Sequence, residues 1–162
     1  NELSSNPDAY RISTFLNKQR GEKLKMGPIW DFNLAFGLDE RSATNVWIYE
    51  YNQRNPNDLW LVPFWWNRLL NDPLFRAAIK DQWQTYRAGV LSNANINNTI
   101  EEQQSILKKN DAIDRNFKRW EVLGVALPFN SFVGKDYEAE SNYLKDWISN
   151  RAAWMDGEIM SW

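Results

Sequence analysis

The chain has neither cysteine nor histidine. Without them there is no disulfide framework, no thiolate nucleophile, no Ser-His-Asp triad, no zinc finger and no imidazole-bound haem or metal. Any metal must be held by oxygen. Long apolar runs are also missing: stretches such as Leu59 to Trp66 fall far short of the roughly 20 residues a membrane helix requires, and no basic-then-apolar leader opens the chain. An excess of positive charge is lacking too, because 19 Lys and Arg stand against 21 Asp and Glu for a net charge of -2. That balance offers no general attraction to a phosphate backbone and argues against nucleic acid as a partner. The absence of cysteine leaves the compartment open.

What is abundant is aromatic surface: 10 Trp, 6 Tyr and 8 Phe among 162 residues. One domain with a sizeable core is expected over residues 1–162. The chain opens on Asn1 and reads at once into patterned sequence, so it is expected to be a piece of something longer.

Arg11 to Asn17 alternates as a strand does, Leu24 to Ile29 is a second candidate, and the polar Lys18-Gln19-Arg20-Gly21-Glu22 between them suits a hairpin loop. Gly27 to Gly37, with Pro28 inside, reads as a fixed loop. Ser42 to Asp58 is Asn-rich and carries Trp47, Tyr49 and Tyr51, which reads as an ordered loop or a short strand between turns.

Helical spacing then takes over. Asp58 is a plausible N-cap for Leu59 to Leu70, with Pro63 in the first turn or at a kink. Asp72-Pro73 opens a cleaner helix, with Leu74, Phe75, Ala78, Ile79, Trp83 and Tyr86 on one stripe and an end near Gly89. Ser92 or Asn95 caps Ile96 to Lys109, whose Ile96, Ile100, Ile106 and Leu107 are expected to face inward. Asp111 to Gly124 and Asp136 to Met160 complete the set. The predicted fold is α+β and mostly helical, a short N-terminal hairpin packed on four to five helices. Trp83, Trp120, Trp147 and Trp154 lie on apolar stripes and are expected to be buried. Trp47, Tyr49 and Tyr51, or Trp60, Trp65 and Trp66, are candidates for a platform that stacks on sugar rings. Lys108, Lys109, Arg115, Lys118 and Arg119 read as a solvated basic face, with an acidic protein substrate as the functional alternative. Asn97-Asn98-Thr99 matches a glycosylation sequon, but on a predicted helix.

Chemistry concentrates in Pro28-Ile29-Trp30-Asp31-Phe32-Asn33. A carboxylate at the exit of a hairpin, flanked by aromatics and followed by an amide, supplies oxygen donors for a hard cation such as Mg²⁺. Protein kinases deliver the metal-binding Asp of their Asp-Phe-Gly motif from a hairpin in this way. The residues alone leave a second reading, in which Asp31 closes a turn and its neighbours are core.

The run Leu24-Lys25-Met26-Gly27-Pro28-Ile29-Trp30-Asp31-Phe32-Asn33-Leu34-Ala35-Phe36-Gly37 resembles the signature of the CotH kinase family, an atypical protein-kinase-like family named for a spore coat protein kinase. The opening Asn-Glu-Leu-Ser pattern through Phe15, the Trp66 to Phe75 segment and the Trp147 to Met155 segment are similar to that family as well. The resemblance covers essentially the whole chain and the C-terminal half of the family's kinase-like domain.

It implies ATP with Mg²⁺ or Mn²⁺ as cofactors, a protein substrate phosphorylated on Ser or Thr, and a location outside the cytoplasm. Asp31 would bind the metal and, through it, the nucleotide, with Asn33 as auxiliary ligand. Glu2 and Asp8 are the candidates for the catalytic base. Where a kinase places an amide metal ligand, this chain has Ser13 or Thr14, and Asn6 and Asn17 lie off that spot. The Gly-rich phosphate loop and the Lys that pairs with a helical Glu are not recognisable, and the family architecture would put them before Asn1, so this piece alone is expected not to turn over ATP. Two rival readings remain: a pseudokinase that binds nucleotide without transfer, and a non-catalytic surface module that binds glycan or a protein.

Overall fold

The computed structural model describes residues 1–162 and is about half helical, α+β in class, with six α-helices and one two-stranded antiparallel hairpin. The strands are β1 (Leu16–Asn17) and β2 (Lys25–Met26), and Leu16 faces Met26 in the register. Both are shorter than the sequence predicts. Tyr10 and Ser13 take left-handed backbone, at φ 69° and 50°, and turn the chain where the alternation had suggested strand. Phe15 through Met26 are exposed, so the hairpin projects from the helical body instead of lying packed on it.

Ser42 to Asp58 holds no strand. Its aromatics enter a 3-10 turn at Ile48–Glu50 and a single helical turn, α1 (Tyr51–Arg54), and Trp47, Ile48, Tyr49 and Tyr51 are all buried. α2 (Phe64–Leu70) begins later than the predicted Leu59, because Pro63 takes the N-cap position and Leu59 to Leu61 stay exposed. α3 (Pro73–Ala88) starts as expected: the Asp72 carboxylate accepts from the N–H groups of Leu74 and Phe75, and Gly89 ends the helix.

Ser92 is the cap of α4 (Asn93–Leu107), its hydroxyl oxygen accepting from Asn95 N–H. α5 (Ala112–Arg119) is shorter than expected, and α6 (Tyr137–Ser161) is capped by Asp136. No helix is long and apolar enough to cross a membrane.

The core forms where α6 meets α3 and the 3-10 turn. Trp47, Tyr49, Leu70, Trp83, Met155 and Ile159 cluster there, and Trp47 lies 4.8 Å from Trp154 and 5.2 Å from Trp162 between ring centroids. Trp83 also donates its indole N–H to Asp156 at 2.8 Å, so a buried aromatic stitches α3 to α6 with its polar atom satisfied. Trp147 is buried as expected and Trp154 half-buried, whereas Trp120 is 59% exposed because α5 ends before it and its segment does not reach the core. Ile106 and Leu107 are exposed as well, since only the first half of the α4 stripe is covered. Lys108 and Lys109, just after α4, and Arg115, Lys118 and Arg119 on α5 are all exposed.

Gly37 shows how closely α6 approaches the loop that precedes it. Its φ is 79°, Tyr143 donates its hydroxyl to the Gly37 carbonyl at 2.9 Å, and an added Cβ would collide with the Trp147 indole and the Tyr143 hydroxyl. Gly37→Ala combines a left-handed backbone penalty of about 1–2 kcal/mol with overpacking of about 1–3 kcal/mol. A fall in the urea midpoint is the expected result, and a midpoint equal to wild type would show that α6 yields at no cost.

Candidate functional site

β2 leads directly into the loop that carries Asp31. Gly27 N–H donates to the Phe15 carbonyl at 3.0 Å, closing the hairpin behind it, and Gly27 adopts φ 135°, a conformation that favours glycine. The far end of the loop is anchored on the N-terminal segment. Phe36 N–H donates to the Ser4 carbonyl at 2.8 Å, Gly37 N–H to the Ser42 hydroxyl at 3.0 Å, and that hydroxyl in turn to Ser4. Asp31 and Asn33 lie between these two anchors, both exposed to solvent. Asp31 has φ 61°, the left-handed region that Asp and Asn tolerate better than other non-glycine residues. Beside it opens a cleft of about 370 Å³, walled in part by Ser13, Phe15, Met26, Trp30, Phe32 and Phe36.

Of the two hydroxyls predicted near the amide position, Ser13 is the one that reaches the site. It donates to Asp31 Oδ2 at 3.0 Å across 18 residues of sequence. Thr14 is committed elsewhere, accepting from Tyr10 N–H at 3.1 Å and donating to the Ile12 carbonyl at 3.0 Å.

Asp8 lies on the buried side of the same region. Its Oδ1 accepts from Arg11 Nη2 at 3.0 Å, and burial pushes its carboxyl above the usual range against the pull of Arg11 and Arg41. Asp31 and Asp39 repel its negative charge in the same direction, which places Asp8 within electrostatic reach of each of them. Asp39 behaves oppositely. Arg41 forks onto it, with Nε to Oδ1 and Nη2 to Oδ2 both at 2.8 Å, and holds its carboxyl below the usual range in spite of burial.

Glu2 is engaged in a different place. Its two oxygens accept the N–H groups of Ile48 and Tyr49, each at 2.9 Å, at the start of the 3-10 turn, and Arg151 Nη2 stands 3.4 Å away. Burial raises its carboxyl against those three partners. It lines an apolar cavity with Tyr10, Trp47 and Trp83, not the cleft beside Asp31. The structure therefore brings Asp8, Ser13 and Asp31 to one region and leaves Glu2 in another.

No three Asp or Glu side chains converge in a cage for a resident metal ion. Mg²⁺ keeps several waters and is commonly held by one or two carboxylates together with the phosphates of its substrate. The exposed Asp31 carboxylate and the Ser13 hydroxyl bonded to it are oxygen donors of that kind, and the exposed Asn33 follows two residues along the same loop. They fit an ion that arrives on a nucleotide.

Sequence reasoning did not single out Arg11, Asp39 or Arg41. The spacing of Asp8 and Arg11 was a visible signal for one ion pair. The neighbours Asp39 and Arg41 were visible too, but nothing in their local pattern marks a site.

A family model described as CotH kinase protein matches residues 1–155. No curated protein and no solved structure matches the chain.

Proposed function

Matched over residues 1–155, the chain belongs to the CotH kinase family, and from that membership we propose that it is the metal- and base-bearing lobe of a protein kinase. In the complete protein it transfers the γ-phosphoryl of ATP to Ser or Thr of a protein outside the cytoplasm. The observation that carries this reading is the Ser13 to Asp31 hydrogen bond at 3.0 Å, which joins segments on either side of the hairpin, with Asp8 near enough for the charge of Asp31 to help raise its carboxyl.

In the proposed site Asp31 holds the metal, with Asn33 and the Ser13 hydroxyl as auxiliary oxygen donors. Mg²⁺ or Mn²⁺ with ATP supplies the phosphoryl group and neutralises charge on the phosphates. Asp8 is the better of the two candidate bases, because Oδ1 is pinned by Arg11 while Oδ2 accepts no hydrogen bond from the protein. Glu2, with both oxygens spent on backbone N–H groups, serves the architecture.

The Gly-rich phosphate loop and its Lys are assigned to a further lobe. The apolar surface that the hairpin presents supports this, since Phe15, Leu16, Leu24, Met26, Ile29 and Trp30 are all exposed, Ile29 by 87%. An apolar patch of this kind marks a docking surface. The sugar-stacking alternative loses Trp47, Tyr49 and Tyr51, which are buried in the core region. The pseudokinase alternative is favoured by one observation, the hydroxyl of Ser13 where a kinase has an amide.

Calorimetric titration of ATP into the complete protein, with and without Mg²⁺, tests the proposal alongside a transfer assay on a mixed Ser/Thr peptide library. Saturable metal-dependent binding with transfer is expected. Binding without transfer gives the pseudokinase reading, and no metal-dependent binding overturns both.

A further inference from the structure

The Arg11 side chain, paired with Asp8, is 2% exposed. Its Nε donates to the Pro7 carbonyl at 2.8 Å and its Nη1 to the Trp60 carbonyl at 2.9 Å, so the guanidinium cannot swing. Its charge is shared between two carboxylates, Asp8 through Nη2 at 3.0 Å and Asp58 through Nη1 at 3.2 Å. One face lies over the Tyr51 ring at 4.2 Å from the centroid. Asp58 is itself held, accepting the Tyr51 hydroxyl at 2.6 Å and Trp60 N–H at 3.0 Å.

A guanidinium with this many fixed partners is expensive to bury for cohesion alone, since hydrophobic side chains of similar volume often do as well. What the arrangement does achieve is directional. It ties one oxygen of Asp8 to a rigid fork and leaves the other oxygen without a partner. It also divides the fork's positive charge with a carboxylate from a loop 47 residues away in sequence.

We propose that Arg11 and Asp58 are positioning residues for Asp8: Arg11 turns the Asp8 carboxylate so that Oδ2 is left to receive the proton of an incoming hydroxyl, and Asp58 takes up part of the charge of Arg11. The proposal deepens the kinase reading and rests on it for the identity of the hydroxyl. Burial already raises the Asp8 carboxyl, with Asp31 and Asp39 adding to the effect and Arg11 and Arg41 opposing it. Removing the charge of Asp58 would leave Asp8 as the only carboxylate partner of Arg11 and pull the carboxyl down, making it a weaker base. Removing the charge of Arg11 would push it up.

The test is the titration of Asp8 in the complete protein, followed by carboxyl ¹³C NMR and identified by the signal lost in Asp8→Asn. Asp58→Asn is expected to lower the Asp8 midpoint by about one unit and Arg11→Gln to raise it by a similar amount. In the transfer assay Asp58→Asn should lower kcat several-fold, leave the KM for ATP unchanged and move the acid limb of the pH profile downward with the NMR midpoint. An Asp8 midpoint that moves with neither variant overturns the proposal. So does an active Asp58→Asn enzyme whose kcat and acid limb match wild type. Midpoints that move as expected in a protein that transfers no phosphoryl group uphold the arrangement around Asp8 and overturn the kinase reading alone. Because Arg11→Gln can weaken the fold, Asp58→Asn, which keeps the size and hydrogen-bonding capacity of its side chain, is the deciding variant.

Discussion

Asp31→Asn in the complete protein should reduce phosphoryl transfer by at least about 10²–10³-fold, the cost of removing one group that stabilises developing charge, and should abolish the dependence of ATP binding on Mg²⁺. Asn is the informative replacement. It keeps the left-handed backbone at φ 61°, which Ala tolerates less well, and it can still accept the Ser13 hydroxyl, so what it deletes is the charge. The residue is exposed, and the fold should survive.

Asp8→Asn separates the second role. Loss of a general base costs about 10²–10⁴-fold in rate, while metal-dependent ATP binding should persist. The pair is read by titration calorimetry and by transfer measured under saturating ATP. If Asp31→Asn binds Mg-ATP as wild type does, the metal assignment is wrong. If Asp8→Asn transfers at the wild-type rate, the base lies elsewhere.

The second large effect is on stability. Arg151 on α6 is fully buried and is the polar hub of the core. Nε and Nη2 donate to the Glu2 carbonyl at 3.0 and 2.7 Å, and Nη1 donates to the carbonyls of Thr44 and Val46 at 3.0 and 2.6 Å. Its guanidinium lies 4.7 Å from the Trp154 ring centroid and 5.7 Å from that of Trp47. Burial lowers its pKa to about 10, which still leaves it charged at neutral pH.

Arg151→Met fills much of the volume but strands those carbonyls and the Glu2 carboxylate without a cation. Breaking a buried pair in this way costs about 3–5 kcal/mol, a large share of the roughly 5–15 kcal/mol that holds an ordinary domain together. Urea unfolding should show a steep fall in midpoint, or no folded protein. Arg151→Lys should recover little, because an ammonium cannot reach diverging carbonyls as a planar fork does. A midpoint within experimental error of wild type would mean that the N-terminal segment and the 44–46 loop are held by something other than Arg151.

The helices were legible because their signals are local. Asp72-Pro73, Ser92 and Asp136 are caps that act on N–H groups within three residues, and the α6 stripe through Trp147, Ile148, Ala152, Met155 and Ile159 is a period that needs no partner to be read. The Asp31 loop was legible for a similar reason, since its glycines, Pro28 and flanking aromatics lie within a few residues.

Strand length and burial were less so. Alternation from Arg11 to Asn17 looks the same whether or not a neighbour pairs with it, and the left-handed turn at Ser13 belongs to its contact with Asp31, 18 residues on. Trp120 has the same spacing as a core residue and finds no core to enter.

The amino-acid order by itself determined the family and the mostly helical α+β class, and it marked Asp31 as the candidate carboxylate for a hard cation. It also excluded every chemistry that needs a thiol or an imidazole. Tertiary structure alone decided which of the two N-terminal carboxylates lies within reach of the charge of Asp31. Glu2 and Asp8 are chemically equivalent in a sequence, but Glu2 meets the backbone of residues 48 and 49 and the guanidinium of Arg151, whereas Asp8 meets Arg11 and lies near Asp31. Those partners are remote in the chain, so their fields and hydrogen bonds exist only once the chain has folded.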